Sequence, residues 1–169
     1  MFERLKQKAC PHCQGVGALI LYGYLRGYDE DDHQRRSVRA RRVFCNNRKV
    51  RNNGCGKTFS LWAADKVRRL SLNATSLWKF LKGILEGSGK IQSFRKLDCT
   101  LSDSGPYRIW SRFEQAQSKI RTELTRRCRP PDVNSEHPAV QVIAHLEAAF
   151  AGDTCPLIAF QHQTQKFCL

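Results

Sequence analysis

The sequence predicts a small α+β protein: an N-terminal three-stranded ribbon bearing cysteines, an all-α domain after it, and a short C-terminal helix. Three observations carry this. Cysteines cluster as Cys10-Pro11-His12-Cys13 and again at Cys45 and Cys55, with β-forming stretches between and after them. Past Trp62 the apolar residues take up helical spacing. Charge is segregated: the net +14 on 169 residues divides into −1 over residues 1–33, +11 over 34–69, +7 over 70–129 and −3 over 130–169. The length suits one ordinary domain or two small ones. A hydrophobic content of 41% supports a core and excludes a wholly disordered basic chain.

The N-terminus, MFERLKQKACPHC, lacks an uninterrupted apolar run and is not expected to be a secretory signal. The longest apolar stretch, Val16 to Leu25, is broken by Gly17 and Gly23 and is too short for a bilayer. No membrane partner is expected, and the expected location is cytoplasmic, where thiols stay reduced. Eight cysteines there point to metal rather than disulfides.

Cys10-Pro11-His12-Cys13 is a knuckle whose turn brings two thiolates to one tetrahedral ion. Cys55-Gly56 followed by Lys57-Thr58-Phe59 reads as the exit turn of a zinc ribbon, with Cys45 as fourth ligand. The spacing departs from a ribbon's usual pair: nine residues separate Cys45 from Cys55, and Asn46 to Asn53 reads as a basic finger. Strands are expected at Ala18–Tyr24, Ser37–Phe44 and Thr58–Trp62, with the acidic run Asp29 to Asp32 in a solvated turn. Structural Zn2+ held by Cys10, Cys13, Cys45 and Cys55 is the expected cofactor. The alternatives are buried or redox thiols, or His12 or His33 replacing a ligand. A catalytic zinc would need an open position and a general base, and no His-x-Glu accompanies either cysteine pair. Cys99, Cys128, Cys155 and Cys168 lack knuckle spacing and read as small buried thiols, a second metal site being the minor alternative.

Leu77, Phe80, Leu81, Ile84 and Leu85 fall on one face of a helix that Asn73 or Thr75 can cap and Gly87 can end. A short helix follows at about Lys90 to Leu97. The third opens at Ser102-Asp103-Ser104-Gly105-Pro106, with capping groups and a proline suited to the first turn. Its apolar stripe is Trp110, Phe113, Ala116, Ile120 and Leu124; Arg108, Arg112, Gln115, Lys119, Thr122 and Arg126 line another face. A long two-faced helix after a short helix and a turn is a helix-turn-helix layout, whose last helix enters the major groove N-terminus first. Ser104, Tyr107, Arg108, Ser111 and Arg112 would then lie nearest the bases. Gly87-Ser88-Gly89-Lys90 is no phosphate loop, since Ile91 follows the lysine and a helix precedes it.

The order CPHC, CGKTFSLW, VRRLSL, helix, LSDSGPYRIWSRF, from Cys10 to about Leu124, resembles the zinc-ribbon plus helix-turn-helix module of insertion-sequence transposases and small mobile-element-associated DNA-binding proteins. The resemblance implies a grip on element-end DNA, with Cys10, Cys13, Cys45 and Cys55 as zinc ligands and Tyr107, Arg108, Ser111 and Arg112 facing the groove. Such a transposase would continue into a large domain with three spaced carboxylates. Only forty residues follow Arg129, so a non-catalytic, nucleoid-associated protein is expected.

The expected domains are therefore residues 1–64, zinc ribbon with basic insertion; 65–129, helix-turn-helix domain; and 130–169, linker, short helix and tail. Ala139 to Phe150 gives the helix, and Cys155 to Phe160 an apolar strip. The tail either packs back on the helical domain or docks a protein partner such as a transposase. Double-stranded DNA is the expected partner, with phosphate contacts from Arg35, Arg36, Arg39, Arg41, Arg42, Lys49, Arg51, Arg68 and Arg69. A transcriptional regulator with the same module is one alternative. An RNA or ribonucleoprotein-binding adaptor is another; exposed aromatics would mark it, and the aromatics here fall mostly on core stripes.

Overall fold

Alternating β-formers on either side of the acidic turn build a long hairpin, and the regular elements described after residue 73 are all helices. The computed structural model describes residues 2–32, 34–47, 54–97, 99, 102 and 104–169. Its elements are α1 (Phe2–Lys6), β1 (Leu19–Tyr28), β2 (Arg36–Cys45), β3 (Thr58–Trp62), α2 (Ala74–Leu85), α3 (Lys90–Arg95), α4 (Gly105–Thr125), α5 (Pro138–Ala149) and α6 (Pro156–Thr164). The chain divides into two units, residues 1–27 with 36–63 and residues 28–35 with 64–169. The result is a small α+β protein with one three-stranded antiparallel sheet.

In the first unit the strand order is β1-β2-β3, and β2 pairs with β3 in the register Ala40 to Trp62, Arg42 to Ser60 and Phe44 to Thr58. One sheet face carries Leu19 and Val43, which bury with Cys10, Ala18 and Cys45; Leu5, Leu21, Cys55 and Phe59 pack at the margin. Helix α1, absent from the sequence expectation, holds Leu5 against this cluster. So few buried side chains make a marginal core, which is where a metal crosslink has most to contribute.

In the second unit, helical periodicity turns one face of each helix inward. Leu77, Phe80 and Leu81 of α2, Phe94 of α3, Trp110, Phe113, Ile120 and Leu124 of α4, Val142, Ile143 and Leu146 of α5, and Leu157 and Phe160 of α6 share one core. The expected stripes of α2 and α4 thus point inward, with Ile84, Leu85 and Ala116 at the edge. Residues 96–104 join α3 to α4, a longer connection than the three or four residues of a compact helix-turn-helix turn.

Residues 130–169, set apart in the sequence as linker, helix and tail, supply α5 and α6 to this core. The strip Cys155 to Phe160 is helical rather than a simple apolar tail: Pro156 sits at the first helical turn, and Pro156, Leu157, Ala159, Phe160 and Gln161 are buried. A short helix covered on several sides carries little amphipathic signal. Buried Gln161 ties it down, donating to the carbonyls of Ala64 (2.7 Å) and Lys66 (3.3 Å) while accepting from the Cys168 amide (3.4 Å).

The acidic turn is only partly solvated. Asp31 and Asp32 are exposed, but Glu30 is buried. Its carboxylate accepts from the Asn73 backbone amide (2.8 Å), the Asn73 side-chain amide and the Ser76 hydroxyl (3.2 Å). Asn73 in turn accepts from the Ser76 amide (2.8 Å) as the N-cap of α2. A carboxylate over a helix N-terminus meets unpaired amides and the positive end of the helix dipole.

Candidate metal centre and basic surfaces

Two tight turns carry the four cysteines. Around the first, the Gln14 amide donates to the Cys10 carbonyl (2.8 Å) and the Cys10 amide to the Gly15 carbonyl (2.9 Å). Gln14 takes the left-handed conformation this reversal needs, at φ 60°. The His12 amide donates to Cys10 Sγ (3.4 Å).

The second turn resolves the odd spacing. The Cys45 amide donates to the Lys57 carbonyl (2.9 Å), and the Gly56 amide donates to the Cys45 carbonyl (3.0 Å). Cys55 therefore returns to the end of β2, its amide donating to Cys45 Sγ (3.3 Å). Gly54 forms the neck, because a Cβ there would stand 2.3 Å from the Asn46 carbonyl oxygen. Gly56 sits at φ +74°, a conformation that glycine adopts without strain.

Cys10 and Cys55 Sγ lie 3.8 Å apart, Cys13 and Cys45 Sγ 3.7 Å apart, and all four sulfurs fall within 4.8 Å of one another. A tetrahedron with metal–sulfur bonds of about 2.3 Å has edges of about 3.8 Å. These residues can hold a metal ion with four sulfur donors. His12 packs edge-on to Phe59, ring centroids 6.2 Å apart, and stays outside the cluster. His33, the other alternative ligand, lies outside the described residues.

The thiols feel one another. Burial pushes the Cys10 thiol up, but hydrogen bonds from the His12 and Cys13 amides, with those to the Cys45 and Cys13 thiols, bring it down to about 7. Burial pushes Cys45 up to about 12; the Cys55 amide opposes this, while the thiols of Cys10, Cys13 and Cys55 add to it. Crowded sulfurs ionise unequally because each thiolate disfavours the next. A central cation removes that conflict.

The remaining cysteines form no second cluster among the described residues. Cys155 donates to the Ala74 carbonyl (3.6 Å), and burial pushes the Cys168 thiol up to about 12.

The basic residues fall on several surfaces. On α4, Ser104, Tyr107, Arg108 and Ser111 are exposed along one face, continued by Gln115, Lys119, Thr122 and Arg126. Arg68, Arg69 and Arg112 meet in one groove of about 670 Å³ with Gln115, Lys119 and Lys166. Arg112 donates to the carbonyl of Arg69 (2.9 Å), which is held at φ 61°, and the Arg68 guanidinium lies 5.6 Å from the Phe167 ring centre. Nearby carboxylates are engaged: Glu123 with Arg126 (3.1 Å) and Lys166, and Glu114 with His137 (3.3 Å). Sequence reasoning missed Lys166 here because only the folded tail brings it back to α4.

In the turn before β2 and along that strand, Arg35 and Arg36 are exposed, and Arg41 and Arg42 half-buried. Arg39 corrects the expectation. It is only 6% exposed, its stem packed where a Cβ on Gly27 would reach, so it is withdrawn from the phosphate-contact set. Lys49 and Arg51 lie outside the described residues.

The sequence also undervalued Tyr22 and Tyr24, which are 48% and 56% exposed on β1 with Arg26 next in the same row. Their i, i+2 spacing, opposite Leu19 and Leu21, was the available signal.

The chain matches no family model, no curated protein and no solved structure. Among the described residues no helix is long and apolar enough to cross a membrane.

Proposed function

We propose that this is a non-catalytic duplex DNA-binding protein, the targeting component of a mobile element, whose ribbon is fastened by structural zinc. The metal reading rests on the sulfur geometry: Cys10, Cys13, Cys45 and Cys55 would hold Zn2+ with no open position for substrate. Zinc suits four thiolates in a tetrahedron better than the hard cations do.

The observation that carries DNA binding is the surface of α4. An exposed face of Ser104, Tyr107, Arg108 and Ser111 runs beside the groove in which Arg68, Arg69, Arg112 and Lys119 gather, and Glu123, the carboxylate lining that groove, is engaged by Arg126 and Lys166. A major groove about 12 Å wide admits one helix, and arginine can bond guanine through two contacts there. Arg68, Arg69 and Lys119 would bind phosphates, as would Arg35, Arg36 and Arg41 on the hairpin. These contacts position the protein without reading sequence. The mobile-element setting rests on the resemblance of the residue order from CPHC to PYRIWSRF to that module; a transcriptional regulator with the same module is the alternative.

Selection of bound duplexes from a random pool tests this. A defined motif is expected, lost on Arg108→Ala and only weakened on Arg41→Ala. With roughly 6 to 10 phosphate contacts, affinity should fall about 10³ to 10⁵-fold between 50 and 200 mM salt. Equal loss in both variants, or affinity indifferent to salt, overturns the reading.

A further inference from the structure

The sheet face opposite Leu19 and Val43 takes no part in the metal centre; it buries Ala40 and Phe44 and presents exposed rings and guanidinium groups beside them. In β1, Leu19 and Leu21 turn toward the small core, so Tyr22, Tyr24 and Arg26 line the opposite face. Tyr22 has two neighbours on β2: its ring lies 5.5 Å from that of Phe44, and the Arg42 guanidinium stands 5.9 Å from its centre. Arg42 itself donates to the Thr58 hydroxyl (3.3 Å), which fixes it across the sheet. Tyr24 is the more open ring, and exposed Val38 lies on the same face of β2.

We propose that this face binds single-stranded DNA, with unpaired bases stacked on Tyr22 and Tyr24 and their phosphates drawn to Arg26 and Arg42. Three points favour this occupant. Rings two residues apart on a strand stand about 7 Å apart, roughly twice the 3.4 Å base step of a stacked strand, so bases must separate to use both. A duplex keeps its base faces inside the stack and cannot offer them. Residues 1–27 and 36–63 carry 12 basic side chains against 1 acidic, and no acid falls in the rows Tyr22-Tyr24-Arg26, Val38-Ala40-Arg42-Phe44 or Thr58-Ser60-Trp62. A polyanion with exposed π-faces complements that surface.

The choice of DNA over RNA rests on the function proposed above; the stacking mode does not. The experiment titrates labelled oligo(dT), oligo(U) and a blunt duplex against the metal-loaded full chain and its variants by fluorescence polarisation. Tyr24→Ala should weaken oligo(dT) binding about 5- to 150-fold while changing duplex affinity less than about twofold. Tyr24→Phe, which keeps the ring, should bind oligo(dT) like the parent. Unchanged metal content and circular dichroism establish that the variants fold. Oligo(dT) binding indifferent to Tyr24→Ala, or equal loss on duplex, overturns the platform. Tighter binding of oligo(U) than of oligo(dT) overturns its assignment to DNA. Should duplex binding be absent while Tyr24-dependent oligo(dT) binding persists, the duplex reading falls and the platform stands.

Discussion

Gly54→Ala should loosen the metal centre without touching a ligand. The added Cβ would stand 2.3 Å from the Asn46 carbonyl oxygen, 2.5 Å from its carbonyl carbon and 2.8 Å from the carbonyl carbon of Cys45. Carbon–oxygen contacts normally begin near 3.3 Å, so the neck must open by about 1 Å. All three obstructing atoms are backbone, and no rotamer relieves them. The next residue is Cys55, whose sulfur is 3.8 Å from that of Cys10. Metal–ligand distances tolerate only about 0.2 Å. Disturbing the groups that orient ligands costs about 10- to 100-fold in metal affinity, or about 1.4–2.8 kcal/mol. Competition against a chromophoric chelator would measure it. Gly152→Ala is the control, since nothing lies within 4 Å of the added carbon. Parent-like metal affinity in Gly54→Ala, or an equal loss in Gly152→Ala, would refute the neck as the device that brings Cys55 to Cys45.

Chelation should unfold the ribbon while the helices persist: tyrosine and near-ultraviolet signals from the sheet change, helical ellipticity stays, and loss of both together would contradict a helical core independent of the metal. Glu123 holds its carboxyl below the usual carboxylate range, chiefly through the hydrogen bond from Lys166; burial opposes this, and the charges of Arg126 and Lys166 add to the lowering. A carboxyl that binds its proton less tightly when folded contributes stability above its unfolded pKa and loses it as the pH falls through the lowered one. Glu123→Gln should therefore flatten the acid limb of a stability–pH profile, and an unchanged limb would count against the pair. Glu30→Gln should cost about 1–3 kcal/mol in denaturant unfolding, because a charged acceptor over the start of α2 is replaced by a neutral one; a cost under about 0.5 kcal/mol would show the cap to be solvated.

Much of the fold was legible because it rests on local spacing. The expected strands at Ser37–Phe44 and Thr58–Trp62 and the helices after Asn73 follow from alternation, helical periodicity and capping chemistry that neighbouring residues enforce. The sulfur cluster was readable from CPHC and CGKT, since a knuckle and a glycine exit turn are short-range geometries. Helix α6 was not, because burial on several sides erases the polar face that would advertise a helix. Arg39 and Glu30 were misjudged for one reason. Charged residues are read as solvated by default, and only packing shows one arginine stem under Gly27 and one carboxylate over a helix end.

The spacing of residues alone thus pointed to the three strands, the helices α2 to α5, the four cysteines of the sulfur cluster and the concentration of charge in the middle of the chain. Tertiary structure decided the rest: that Gly54 closes a neck bringing Cys55 beside Cys45, that Gln161 draws the tail into the helical core, that Arg68, Arg69 and Arg112 share one groove, and that Tyr22 and Tyr24 face outward. Each of these depends on contacts between residues distant in the chain or on which face a packed strand buries. Local propensity carries no information about either, because both are set by where apolar surface can leave water.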